Sequence, residues 1–170
     1  MLLLQWDLPP QIIKMRLLIV ILLILLDFIS KKIVFHVIEL NNLFSFISFI
    51  DFTHIHNYGI SFGLFAGILP SWFIILSGLI MLIILFFWML KSSNKLEMWG
   101  VLLIIAGAIS NIGDRLINNF VLDFILLHYN QYYWPAFNFA DIYISFGILI
   151  IIMENFKMFK TKLKDKNEKF

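Results

Sequence analysis

The stretch PSWFIILSGLIMLIILFFWML, from Pro70 to Leu90, contains no charged side chain and is about as long as a helix must be to cross a hydrocarbon core of roughly 30 Å. It makes the bilayer the natural solvent. Three further apolar stretches have comparable length, at 17–37, 98–117 and 138–156, the last with a polar start. The whole chain of 170 residues is 61% hydrophobic with 19 Phe and only 14% charge, more apolar surface than one soluble core of this size needs. The expected architecture is an all-α integral membrane protein, four transmembrane helices forming a single domain over 1–170. The chain shows no internal repeat and no low-complexity linker.

Basic residues set the orientation, because cytoplasmic segments retain Lys and Arg. Lys14 and Arg16 precede the first span, Lys91 and Lys95 separate the second from the third, and six lysines from Lys157 to Lys169 follow the fourth. Segments 38–69 and 118–137 contain none. Both termini are therefore predicted cytoplasmic, with 38–69 and 118–137 as outward loops and 157–170 as a basic, lipid-facing tail. The net charge of +2 follows from this topology and is not a nucleic-acid signal. The first span has the basic start of a secretory signal peptide, but its length and the lack of a small-residue cleavage site favour a retained helix. Met15 is an alternative start. With no cysteine, disulfides, thiol nucleophiles and thiolate metal sites are excluded.

Ionisable groups inside an apolar span are costly and mark function or buried pairing. Asp27 and Lys31 lie four residues apart on one helix face, the spacing of a structural ion pair. Asn111, Asp114 and Arg115 share a face of the third span, beyond the small residues Ala106, Gly107, Ala108 and Ser110 that let another helix approach. Asn138, Asp141 and Ser145 repeat the pattern at the outward end of the fourth. Asp123, eight residues after Arg115, can fold back to meet Asp141. Two carboxylates in contact resist double ionisation and share one proton, which supplies one base to activate a water and one acid for a peptide carbonyl oxygen. The plainer alternatives are two surface-loop acids or a capping Asp.

His54 and His56 form a His-x-His that, on a strand, puts both rings on one face, and His36 and His128 are expected near the same surface. No ligand-spaced carboxylate or His-Glu-x-x-His helix accompanies them, so interfacial histidines are the plainer reading. Tyr132, Tyr133 and Trp134 suit an aromatic belt at headgroup level. Two other function classes use the same charges. A small transporter would need ionisable groups through both halves of the bilayer, yet most cluster at the outward end. A structural subunit, using them as helix glue, gives no reason for ordered motifs in the outward loops.

Those motifs are Asp27-Phe-Ile-Ser-Lys31, Asn57-Tyr-Gly-Ile-Ser-Phe-Gly63, Asn111-Ile-Gly-Asp-Arg115, Val121-Leu-Asp-Phe124 and Pro135-Ala-Phe-Asn-Phe-Ala-Asp141. In order and register they resemble the bacterial lipoprotein signal peptidase family, signal peptidase II, over roughly Arg16 to Phe156. The resemblance implies an aspartic endopeptidase of the inner membrane that removes the signal peptide from diacylglyceryl-modified prolipoproteins, cutting just before the lipidated cysteine, with its active site at the outward face. It implies Asp123 and Asp141 as catalytic residues. Asn57, Gly59, Asn111, Arg115 and Asn138 match positions that line or support the site, and Asp27, Lys31 and Asp114 match supporting polar positions. The asparagines would hold the peptide backbone, and Arg115 would brace the site without moving a proton. No metal or cofactor is implied. Partners would be the prolipoprotein, membrane lipids and globomycin-type inhibitors. The first outward loop would form a small β-cradle on the membrane surface, for which Asp51-Phe-Thr-His-Ile-His-Asn57 is a suitable strand. Two departures, Ser110 in place of Gly and the bulky Ile60, bear on packing and pocket width.

Overall fold

A computed structural model describes residues 9–60 and 67–167. The Ser61-Phe62-Gly63 part of the first-loop motif, the residues before Pro9 and Lys169 lie outside them. The elements run α1 (Pro10–Val37), β1 (Leu43–Ile47), β2 (Ile50–Asn57), α2 (Ser71–Lys91), α3 (Lys95–Asn118), β3 (Val121–Tyr129), β4 (Tyr132–Tyr133) and α4 (Phe139–Asn167). Among the described residues, three helices are long and apolar enough to cross a membrane: Ser71–Lys91, Lys95–Asn118 and the Phe139–Lys160 part of α4. The 28 residues of α1 interrupt their apolar run with Asp27, Lys31 and Lys32.

Side-chain exposure follows the composition. On α2, Phe73, Leu76, Ile80, Ile83, Ile84 and Phe87 are exposed, and only Ile74 and Leu85 are buried. On α1 the order is inverted relative to a water-soluble helix: Leu18, Leu22, Leu25, Leu26 and Ile29 point outward, and Asp27 and Lys31 are buried. Burying charge and exposing leucine is favourable only where the surroundings are apolar.

Helices α3 and α4 approach each other most closely, through glycine. A methyl group on Gly107 would stand 2.4 Å from the Ala140 carbonyl oxygen, and one on Gly147 would stand 2.4 Å from that of Gly100. Such backbone contact is how small residues hold helices together where apolar burial supplies no drive. Asn94 starts α3 by accepting the N–H groups of Leu96 and Glu97 on its side-chain oxygen, and Asn119 ends it in the left-handed conformation at φ 64°.

At the end of the bundle away from Lys91 and Lys95 sits a four-stranded sheet in the order β1-β2-β3-β4. The strand expected at 51–57 lies within β2. The sheet is not a product of the first segment alone, because β3 and β4 come from 121–133, which the sequence had presented as a loop. Strands β2 and β3 are antiparallel, with Ile55 opposite Asp123 and Asn57 opposite Val121, after a register shift between Phe52 and Ile55. Val34 of α1 packs with Leu122, Phe124 and Ile125 of β3, fastening the sheet to the helices.

Candidate active site

Three backbone hydrogen bonds bring the two acidic motifs together. The N–H groups of Phe124 and Ile125 donate to the Phe137 carbonyl at 3.0 and 2.8 Å, and the Phe137 N–H donates back to Ile125 at 3.0 Å. This bridge places Asn138 beside Asp123. The Asn138 side-chain Nδ2 donates to Asp123 Oδ1 at 2.7 Å. Its Oδ1 accepts the Asp141 N–H at 3.0 Å, and Asp141 Oδ2 accepts the Asn138 N–H at 3.2 Å. The last two contacts are a reciprocal capping box at the start of α4. Asn138 is fully buried and joins both acids.

The remaining carboxylate oxygens also face amide donors. Asp123 Oδ2 accepts Asn57 Nδ2 at 2.9 Å, and Asp141 Oδ1 accepts Asn111 Nδ2 at 2.9 Å. Burial, and after it the charge of Asp141, pushes the Asp123 carboxyl up to about 7, against the partial offset of the Asn57 and Asn138 amides. Asp123 and Asp141 between them therefore keep a proton under conditions where an exposed carboxylate would have lost it.

Outside the pair lies a second layer of polar contacts. Asn57 Oδ1 accepts the Gly59 N–H at 2.9 Å, and Arg115 Nη2 donates to the Gly59 carbonyl at 2.6 Å while its Nη1 reaches the Asn111 carbonyl at 3.1 Å. The turn after β2 is thus tied to α3. Lys31 Nζ donates to Asn111 Oδ1 at 3.0 Å and pairs with Asp27 at 2.6 Å and Asp114 at 2.7 Å. Asp27 Oδ1 accepts the Ala140 N–H at 2.9 Å, and its Oδ2 accepts the Ser110 hydroxyl. All ten residues that the family resemblance singled out fall into this one connected network. Ser110 and Ala140 were not singled out as site residues, and only their position beside the motif asparagine and aspartate hinted at them.

The histidines stand apart from this network. His54 Nδ1 donates to the Ile38 carbonyl at 2.8 Å, which leaves its Nε2 to accept the His56 Nε2–H at 3.0 Å. His56 stacks on Phe120 at 3.5 Å, and burial followed by the neighbouring His54 lowers its pKa. His128 pairs instead with Asp51 at 3.4 Å. Among the described residues no group of three His, Cys, Asp or Glu side chains is placed to hold a metal ion.

The model of the family described as signal peptidase II matches residues 19–157, and these include every residue of the network. The chain belongs to the signal peptidase II family. Among its relatives, the lipoprotein signal peptidase of Teredinibacter turnerae is 35% identical, with 85% of this chain and 88% of the relative covered. That of Alteromonas mediterranea is 34% identical over 78% of this chain and 75% of its own. A bacterial membrane enzyme solved by the in meso method at 2.3 Å resolution superposes with a TM-score of 0.82 and 28% identity, covering 88% of this chain and 92% of the other. This signal peptidase II is accordingly an aspartic protease of lipoprotein processing, which leaves no place for a transporter or a purely structural subunit.

Proposed function

We propose that Asp123 and Asp141 are the catalytic pair, and that the enzyme cuts diacylglyceryl-modified prolipoproteins immediately before the lipidated cysteine. The observation that carries this is the single buried Asn138, hydrogen-bonded to both carboxylates in a chain of this family. One acid holds a proton and the other is ionised. The ionised carboxylate takes a proton from water as the oxygen attacks the scissile carbonyl carbon, and the protonated one gives its proton to the carbonyl oxygen. In the resulting tetrahedral diol the roles reverse. The leaving nitrogen gains a proton from the acid, the C–N bond breaks, and the other carboxylate takes a hydroxyl proton as the new carboxyl forms. No covalent intermediate and no metal enter.

In this reading α1 is a fourth transmembrane helix. Its 28 residues extend about 42 Å at 1.5 Å per residue, and its buried acid and lysine face the bundle while its leucines face out. The termini and Lys-rich connections are cytoplasmic by the positive-inside rule, which puts the sheet and the carboxylates at the outward face of the inner membrane. The sheet is the membrane-surface cradle: Leu43, Phe44, Phe46 and Ile47 of β1, with Tyr132, Tyr133 and Trp134, expose aliphatic and aromatic side chains suited to headgroup level. Globomycin-type inhibitors would occupy the same cleft as the peptide.

The test is cleavage of a diacylglyceryl-modified prolipoprotein by the purified chain, with Asp123→Asn and Asp141→Asn as variants. Each is expected to abolish turnover while keeping the parent's helix content. Parent-like rates in both variants would remove the pair from the mechanism.

A further inference from the structure

Helices α1 and α2 both lean on α3 without closing over it near the Lys-rich end. Between them is a groove of about 390 Å³ lined by Leu17 and Val20 of α1, Phe86 and Met89 of α2, and Leu102 and Ile105 of α3. Along α3 it extends from Met98 to Ile109, roughly 17 Å at 1.5 Å per residue. That is about half of a hydrocarbon core of roughly 30 Å, the depth of one leaflet. Arg16 stands at its mouth. The Arg16 Nε is covered from water and has no hydrogen-bond partner among the described residues, while Nη1 has only the Met98 sulfur and the guanidinium lies 5.8 Å from the Trp99 ring centre. A guanidinium whose one described acceptor is a thioether is poorly satisfied, and the N–H groups it leaves open favour an anionic oxygen.

We propose that this groove binds one anionic phospholipid, its phosphate on Arg16 and one acyl chain along α3. The charges around the mouth favour that occupant. Lys14, Lys91 and Lys95 are at the same end, and the nearest acid on α3, Glu97, is engaged by Ser92 and Trp88. A signal-peptide helix fits less well, since its basic leading segment would meet Arg16. Nor does the substrate's own lipid fit, because the groove opens at the end of the bundle opposite Asp123. The inference does not depend on the catalytic roles; the membrane orientation proposed above only assigns the lipid to the cytoplasmic leaflet, where anionic headgroups concentrate.

The probe is phosphatidylglycerol carrying a photoreactive group midway along one acyl chain, reconstituted with the full chain in nanodiscs, against phosphatidylcholine with the same chain. Peptide mapping should place the adduct on α3 around Leu102 and Ile105. Labelling by the anionic lipid should be about fivefold stronger, as for one basic residue at an anionic surface. Arg16→Gln should reduce it to the phosphatidylcholine level, Arg16→Lys should restore most of it, and Leu102→Phe should weaken it with the charge intact. Equal labelling by the two lipids in the parent chain overturns the proposal. So does labelling unchanged by both Arg16→Gln and Leu102→Phe, displacement by inorganic phosphate alone, or displacement by a signal peptide but not by unlabelled phosphatidylglycerol. If Arg16→Gln fails to fold, the two-lipid comparison and Leu102→Phe decide. Prolipoprotein cleavage is not the readout, so failure here leaves the catalytic assignment untouched.

Discussion

Lys31 on the first helix donates to Asn111 on the third at 3.0 Å, across 80 residues of chain, and the same Asn111 donates to Asp141. A cation buried at 4% exposure therefore reaches a carboxylate of the proposed pair through one amide. Replacing it with Met leaves Asp27 and Asp114 buried without their counter-ion. Breaking a buried pair from one side costs about 3–5 kcal/mol. Lys31→Met should lower the thermal unfolding midpoint in detergent markedly, and a midpoint equal to the parent's would mean the pair adds nothing to stability.

Asn138 has two tasks that substitution can separate. Asn138→Ala removes both the helix cap and the donor to Asp123. Asn138→Ser keeps a capping oxygen for the Asp141 N–H and loses only the donor. A hydrogen bond contributes about 0.5–1.5 kcal/mol to a neutral carboxyl and about 1.5–3 to a charged one, so each variant should lose between roughly 3- and 100-fold in kcat/KM. Unfolding should distinguish them, with Asn138→Ala destabilised beyond Asn138→Ser by about 1 kcal/mol, the contribution of the cap. Steady-state cleavage together with thermal unfolding gives both numbers.

The raised Asp123 carboxyl fixes the direction of the pH dependence. Its proton is retained up to about pH 7, so the singly protonated pair is present below that value. As pH rises through 7 the second proton leaves and no acid remains for the carbonyl oxygen. kcat/KM should fall on that alkaline limb, and the apparent value belongs to the pair rather than to Asp123 alone. A rate that stays flat from pH 6 to 9 in buffers of constant ionic strength would contradict the shared proton.

Two glycines of α3 should respond in opposite ways to the same substitution. Gly107→Ala puts a methyl group 2.4 Å from the Ala140 carbonyl oxygen and pushes α4 away, at a cost of about 1–3 kcal/mol for overpacking. Gly113→Ala meets nothing within 4 Å and should be neutral or slightly stabilising, by about 0.4–1 kcal/mol. Because Ala140 adjoins Asp141, the first variant should also lose activity. Paired unfolding and cleavage measurements test both.

The helices were legible because each is a long apolar run, and their polar faces because 3.6-residue periodicity lines up Asn111, Asp114 and Arg115. Strand β3 was not. VLDFILLHY is buried on both faces along its first six residues, so it lacks the alternation that identifies a half-buried strand. The Ile125–Phe137 bridge that sets Asp123 beside Asn138 is a pairing between distant residues, which local patterns do not encode. The spacing of Asn138, Asp141 and Ser145 was readable as one polar face at the outward end of the fourth span. That the same asparagine would also hold Asp123 was not. Ser110 read as a packing change, whereas its hydroxyl completes the shell of Asp27.

Asp27 accepts the Ala140 N–H, one residue before Asp141. The first helix of this protease has the outline of the leaders it removes from other proteins: a basic start, then a long apolar run. What sets it apart is that it is bolted to the proposed active site through Asp27 and Lys31. An enzyme that excises leaders has made its own leader-like helix part of the blade, so losing that helix would disarm the cutter rather than mature it.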